Sequence, residues 1–283
     1  MTQDELLAAV ARMEDRFDDL LQRISIHTWE GKEAHRLAID EEIVRRRQQR
    51  VGPRCIGNHL AQVYSQGYED AIIAEIFDRI GPGRRRFLEI GVETGDQCNT
   101  RLLLETGWTG VWIEGDRESA AAIRTHWSDA IADGRLVLID ALVTRENLQD
   151  LIDGVAPGEA FDLVSVDIDY NTSHAWRALT STGRVACIEY NASYPPVTPF
   201  EVEYHAEAVW TEGNYFGASL STMQQIGEDK GMVLVGCDLS GVNAFFVDRA
   251  EAGHFAGPFT AEHHYEPARY PMLKHRGHPR RSL

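Results

Sequence analysis

The chain has 283 residues, room for one or two domains with ample core, and carries 44 acidic against 28 basic side chains for a formal charge of -16. That balance argues against a nucleic-acid backbone as the main partner, because proteins that bind one present a basic field. No apolar run reaches membrane-span length, Met1-Thr2-Gln3-Asp4-Glu5 is no secretory leader, and Cys55, Cys98, Cys187 and Cys237 lack paired spacing, so no membrane partner, disulfide framework or zinc knuckle is expected and a cytoplasmic location is.

Residues 4 to about 25 read as an amphipathic helix. Leu6, Val10, Met13, Phe17, Leu20 and Ile24 alternate four and three apart, the spacing of a coiled-coil seam. Such a helix either packs on its own domain or joins a homo-oligomer. Residues 30–50 continue helical and highly charged, and Gly52-Pro53 breaks the pattern. Ser65 to Asp70 opens a second helix through Ile72, Ile73, Ile76, Phe77 and Ile80, which ends at Gly81-Pro82-Gly83.

A regular alternation follows. Strands are predicted at 87–90, 110–113, 136–139, 161–166 and 185–188. Helices are predicted between them at 99–106, 118–131, 145–152 and 174–179. Repeated βα units imply a parallel sheet with helices on both faces. The end differs. A helix at 219–230 leads to Met232-Val233-Leu234-Val235-Gly236-Cys237, and the turn Leu239-Ser240-Gly241 leads straight to Asn243-Ala244-Phe245-Phe246-Val247. Strands joined so briefly must be antiparallel. The expected fold is a Rossmann-like, doubly wound α/β sheet, mostly parallel, with an antiparallel last strand and an N-terminal helical extension. Its expected parts are a helical extension (1–58), the main domain (59–250) and a C-terminal tail (251–283) whose Arg269, Lys274, Arg276, Arg280 and Arg281 are basic.

Acidic residues close the strands. Phe87-Leu88-Glu89-Ile90 runs into Gly91-Val92-Glu93-Thr94-Gly95, a glycine-punctuated turn at a strand end. Glu114 and Asp116, then Asp140, then Asp167 and Asp169, then Glu189 end the next four. Together these positions resemble a class I S-adenosylmethionine-dependent methyltransferase over residues 60 to 250. Glu89-Ile90-Gly91 with Gly95 is similar to that family's first motif, with Glu93 where many members have glycine. Tyr64-Ser65-Gln66, Ser165 to Asp169 and Ile188-Glu189-Tyr190-Asn191 resemble the FkbM-type branch, which mostly methylates oxygen.

The resemblance implies a cofactor, S-adenosylmethionine, and places it. Glu89, Gly91 and Gly95 would hold its methionine end, where carboxylates suit an ammonium and a sulfonium. Glu114, with Asp116 as the fallback, would accept the ribose hydroxyls. Asp140 and Ala141 would flank adenine, Asp167 would line the fourth strand end, and Gln66 lies in a segment that folds over the cofactor in comparable enzymes. A dinucleotide would ask for G-x-G-x-x-G and no acid beside its pyrophosphate, which disfavours an NAD-dependent oxidoreductase.

Asp167, Asp169, Glu189 and Asn191 end neighbouring strands about 4.8 Å apart, so their oxygens can converge. Hard oxygen donors suit Mg²⁺ or another divalent cation. The metal ligands expected, by likeness to catechol-type and some sugar O-methyltransferases, are Asp167, Glu189 and Asn191. His174 or Asp169 is the candidate base. The loop from Tyr194 to Gly217 is rich in proline and aromatics, and Trp210 and Tyr215 are its substrate-contact candidates. The expected function is O-methylation of a small hydroxylated molecule, a sugar or a natural-product intermediate. The alternative is a catalytically silent relative that serves binding or assembly through the N-terminal seam.

Overall fold

The computed structural model describes residues 3–211 and 213–269 and, in the first helix, most side chains from Met13 onward. Leu6 and Val10 as side chains, and Lys274, Arg276, Arg280 and Arg281, lie outside the described residues. Two units are distinguished, one ending at Arg46 and one beginning at Arg47. The described residues of the first are helical, part of α1 (Gln3–Val51), which Gly52 ends with a positive φ of 87°.

The second unit is built on a seven-stranded sheet. In chain order it runs α2 (Glu69–Ile80), β1 (Arg86–Ile90), α3 (Arg101–Glu105), β2 (Thr109–Glu114), α4 (Arg117–His126), α5 (Ser128–Ala132), β3 (Leu136–Asp140), α6 (Leu148–Asp153) and β4 (Leu163–Val166). Then come α7 (Thr172–Ala178), β5 (Val185–Glu189), α8 (Leu220–Asp229), β6 (Met232–Cys237), β7 (Asn243–Asp248) and α9 (Ala261–His264). The strand order is β3-β2-β1-β4-β5-β7-β6. The first five strands are parallel, while β7 runs antiparallel to both its neighbours, β5 and β6. This is the Rossmann-like, doubly wound sheet with a reversed last strand that the sequence predicts.

Side-chain alternation along the strands divides the core in two. Leu88, Ile90, Val111, Ile113, Val164, Val166, Ala186 and Ile188 pack with Leu148, Trp176, Met223 and Ile226 from α6, α7 and α8. Phe87, Trp112, Leu163, Val185 and Phe245 face the other way, against Ile72, Ile76, Leu104 and Ile123 from α2, α3 and α4. Both faces are dry, which is why these strands read as unbroken apolar runs. The helix predicted over 118–131 is broken at Trp127, whose indole meets Trp112 edge-on at 5.2 Å. That contact takes the side chain inward and ends α4 there.

Residues 251–269, expected as the start of a tail, continue the second unit. Ala261, His264 and Glu266 are buried. Glu266 sits among three guanidiniums, 3.0 Å from Arg47 Nε, 2.7 Å from Arg269 Nη1 and in contact with Arg50. Tyr190 Oη donates to its carbonyl at 2.6 Å. Arg47 is itself buried, so removing the carboxylate strands a charge away from water. Glu266→Gln is therefore expected to lower the unfolding free energy by about 3 kcal/mol, read from urea denaturation; a change within experimental error would mean the cluster is solvated.

Candidate active site

The C-terminal edge of the sheet gathers the acidic residues, and each is held differently. Glu89 lies on the inward face of β1 beside Ser165 and Cys187 in register. It is buried, and its oxygens accept from Asn99 N at 2.7 Å, Thr100 N at 2.9 Å and Thr100 Oγ1 at 2.5 Å. Burial raises its pKa, and these donors oppose the rise. Glu89 therefore fixes the loop that leads into α3; both its oxygens are in use.

That loop is the glycine turn. Gly91, Glu93 and Gly95 all have positive φ, of 80°, 49° and 74°. A Cβ on Gly91 would stand 1.8 Å from the Asp167 carbonyl oxygen, and one on Gly95 2.6 Å from the Trp112 ring. The glycines let the turn lie directly against β4 and Trp112. Glu93 adopts the left-handed conformation without being glycine. It does so with its N–H 2.7 Å from Glu114 Oε2, which also takes Val92 N–H at 3.1 Å.

Glu114 is buried, and burial raises its pKa against the donors that hold it. Oε2 has two donors, whereas Oε1 has one, Asp116 N–H at 2.7 Å, and keeps a lone pair free. Asp116 caps α4 through Ser119 N–H, and that bond lowers its pKa. Asp140 stands opposite Glu114 in register and pairs with Arg124 at 2.9 Å. Ala141 follows, its N–H on the Glu114 carbonyl. Beside it Leu142 is exposed, in contact range of any side chain at Gly115. Sequence patterning missed Leu142, since an apolar residue after a strand reads as core; its exposure marks it.

The remaining carboxylates lack such donors. Ligand oxygens of Asp167, Asp169 and Glu189 all lie within 4.8 Å of one another. Among the described residues no backbone N–H donates to the side chains of Asp167 or Asp169. Burial, then the charge of Asp169, pushes Asp167 up to about 7. Glu189 goes well above the usual range through burial, then the charges of Asp167 and Asp169. Asp169 is raised by desolvation and by Glu93. Glu93, a mere departure from a motif in the sequence, thus adds a fourth negative charge.

Thr172 orders this group. Its hydroxyl donates to Glu189 Oε2 at 3.1 Å and accepts from Ile168 N–H at 3.1 Å. Thr172 was invisible to sequence reasoning, where a helix-start threonine reads as a cap. Asp169 also has a positive φ, 55°, and opens the 3₁₀ turn 169–171 before α7.

Two residues expected here serve elsewhere. Asn191, a predicted metal ligand, is fully buried, with Nδ2 donating to the carbonyls of Asn214 and Phe216 and Oδ1 accepting from Ser193 N–H. The chain turns after Glu189, so the strand alternation that would align Asn191 with it has ended. Asp169 is the third carboxylate instead. His174, the predicted base, has Nε2 2.9 Å from the Val202 carbonyl and Nδ1 4.0 Å from Glu201. It lines a depression of about 360 Å³ with Arg145, Glu146, Arg177 and Ala178. Thr172, two positions earlier and so on the opposite side of α7, is the residue that reaches Glu189.

The aromatic loop returns onto the acidic turn. Gly217 N–H donates to the Tyr170 carbonyl, and Tyr215 stands 6.2 Å from Tyr170 and 5.7 Å from Phe200. Tyr215 is exposed. Trp210 is also exposed, but its ring contact is Phe216 and its Nε1 donates to Gly213. Gln66 is exposed, and its carbonyl accepts from Gln62. The segment before it is fixed by Asp70, whose Oδ2 accepts the N–H groups of Val63, Tyr64 and Ser65. Glu69 holds Gly67 N–H and faces Asn243 Nδ2.

No protein-family model and no curated protein matches the chain. Among solved structures it is similar to the N-terminal domain of EvdMO1 in the presence of SAH and D-fucose, at 16% identity over 74% of this chain and 95% of that one, TM-score 0.43. It is similar to magnesium protoporphyrin IX methyltransferase from Synechocystis PCC 6803 with bound SAH, at 11% identity over 66% and 89%, TM-score 0.41. A third is an S-adenosylmethionine-dependent methyltransferase from Clostridium acetobutylicum ATCC 824, at 10% identity over 64% and 90%, TM-score 0.40. No helix among the described residues is long and apolar enough to cross a membrane.

Two outcomes follow from this geometry. Gly91→Ala must move either the turn or β4, and is expected to cost about 3 kcal/mol in urea denaturation; a neutral effect would place the turn away from Asp167. Glu69 is raised to about 7 by burial and by the charge of Asp238. Its contribution is complete below its ordinary 4.5 and is lost as pH rises through about 7. Wild-type stability should thus fall between pH 5 and pH 8 by more than that of Glu69→Gln, measured by denaturation at both; equal falls would show Glu69 ionised when folded.

Proposed function

We propose that this chain is an S-adenosylmethionine-dependent methyltransferase that methylates an oxygen of a small hydroxylated molecule beside a divalent cation. One observation carries the reading: three carboxylates at adjacent strand ends, without backbone donors, crowd next to a glycine turn that approaches to van der Waals contact. Like charges this close either keep protons or hold a cation. The donor set fits a hard divalent ion: carboxylate oxygens, no thiolate and no imidazole among the three. Asp167, Asp169 and Glu189 would hold it. Bound there, such an ion acidifies and orients a hydroxyl, and the cofactor supplies an electrophilic methyl on a cationic sulfur.

The protein's own groups do the rest. Glu114 Oε1 and Asp116 offer acceptors for a diol at the β2 edge. Leu142 and Ala141 give an apolar wall for a flat ring, and Asp140 an acceptor beside it. The negative field of Glu93, Asp167 and Asp169 favours a sulfonium and opposes a pyrophosphate, which supports this donor over NAD. Asp169, the exposed member of the trio, is the group placed to take the acceptor's proton. Tyr170, which follows Asp169 in the chain, and Tyr215, 6.2 Å from it, would offer ring faces to a sugar or an aromatic acceptor.

Calorimetry with S-adenosylmethionine and NAD side by side tests the donor. Only the former should bind, and Asp140→Arg should weaken it at least about tenfold, some 1.4 kcal/mol. Methyl transfer to a panel of polyhydroxylated acceptors should fall about 100-fold on chelation, and Asp167→Ala should match that loss. Binding without turnover on any acceptor would favour the silent assembly reading; absence of cofactor binding would end the proposal.

A further inference from the structure

The first unit carries a surface that the site does not use. α1 is a single helix of 49 residues, about 73 Å long at 1.5 Å per residue. Met13, Phe17, Leu20, Leu21, Ile24 and Trp29 are between 49% and 71% exposed. Helices in water hold through packing of an apolar face rather than through propensity. So many large apolar side chains in water need a cover.

We propose that the cover is a second copy of this chain, with the two α1 helices parallel and in register along the seam from Met13 to Ile24. The spacing is the first reason. Met13, Phe17, Leu20 and Ile24 step by four, three and four. Met13 to Leu20 and Phe17 to Ile24 each span seven residues, and that heptad repeat keeps one stripe facing a like helix through a left-handed supercoil. The same steps run back in sequence to Val10 and Leu6. Forward they reach His27 and Gly31, so the seam has an end.

Charge decides the orientation. Arg16 and Arg23 flank the stripe on one side, while Leu21 and Thr28 flank it on the other. In a parallel pair each flanking residue meets the opposite flank five positions on. Arg16 then lies over Leu21 of the second copy, its methylenes covering that exposed side chain, and Arg23 lies over Thr28. An antiparallel pair centred on the stripe would set Phe17 against Leu20 and bring Arg16 of one copy up to Arg23 of the other. Charge also excludes a membrane surface as the cover. Asp18 and Asp19 share the polar face with Arg16 and Arg23, whereas helices that lie on anionic lipid carry a basic face.

The test uses the full chain in sedimentation equilibrium over a dilution series. A concentration-dependent dimer is expected, and Phe17→Glu with Leu20→Glu should weaken it at least about tenfold. The thermal transition of the second unit should not move in that variant, which separates lost association from misfolding. Leu20→Cys tests the orientation. The four native cysteines are buried, so mild oxidation should link Leu20→Cys chains to one another if the helices are parallel. An antiparallel pair would leave Leu20→Cys on its own unlinked and would join Phe17→Cys to Leu20→Cys in a mixture. A monomer at every concentration, a dimer indifferent to the two glutamates, or the antiparallel linking pattern each overturns the proposal. None of these readouts depends on methyl transfer.

Discussion

A carboxylate buried at a strand end must find donors, and how each one finds them organises this protein. Asp70, Glu89, Glu114 and Asp238 take backbone N–H groups from the loops around them. Each acid turns a flexible connection into a fixed one, because an amide aimed at a buried charge is worth more than one aimed at water. Asp167, Asp169 and Glu189 are the exception. Among the described residues the one hydroxyl that donates to them is that of Thr172, to Glu189. The scaffold thus spends its amides on shaping the edge and leaves one group of oxygens with unmet demand.

Much of this was legible in the chain. Acids closing successive apolar runs mark the working edge of the sheet, and the brief turn between β6 and β7 forces the antiparallel end. The spacing of Gly91 and Gly95 locates the close approach to β4. What sequence could not resolve was direction. A residue just past a strand, such as Asn191, no longer follows the two-residue alternation. A residue just past a 3₁₀ turn, such as His174, has lost the phase that would aim it. The role of Glu89 was hidden for a related reason: a strand-end acid aimed inward at a helix start looks the same in sequence as one aimed at a ligand.

Among the described residues three non-glycine positions have left-handed backbone; Arg85 precedes β1, and the other two fall in the region of the acidic trio. Glu93 and Asp169 are both left-handed without being glycine, and each contributes charge where the trio sits. Side chains in that conformation cost of order 1–3 kcal/mol unless the surroundings impose it. Glu114 imposes it on Glu93 through two amides, and the 3₁₀ turn with its packed successor α7 imposes it on Asp169. Strain and uncompensated charge coincide, a combination that folding alone would not favour.

The two asparagines that flank the acidic turns have a separate consequence. Asn191 grips the carbonyls of Asn214 and Phe216, and Asn171 grips that of His205. The second half of the aromatic loop is thus clamped at His205 and again at Asn214 and Phe216, each time through main-chain carbonyls, which every residue type possesses. The span between the clamps is bound mainly to itself, as Trp210 on Gly213 and Ala208 on His205 illustrate. Its side chains can therefore be exchanged wholesale while the charged turns beneath stay put. An architecture of this sort lets the exposed face of the loop drift in evolution, or be grafted by design, while the acidic edge keeps its shape.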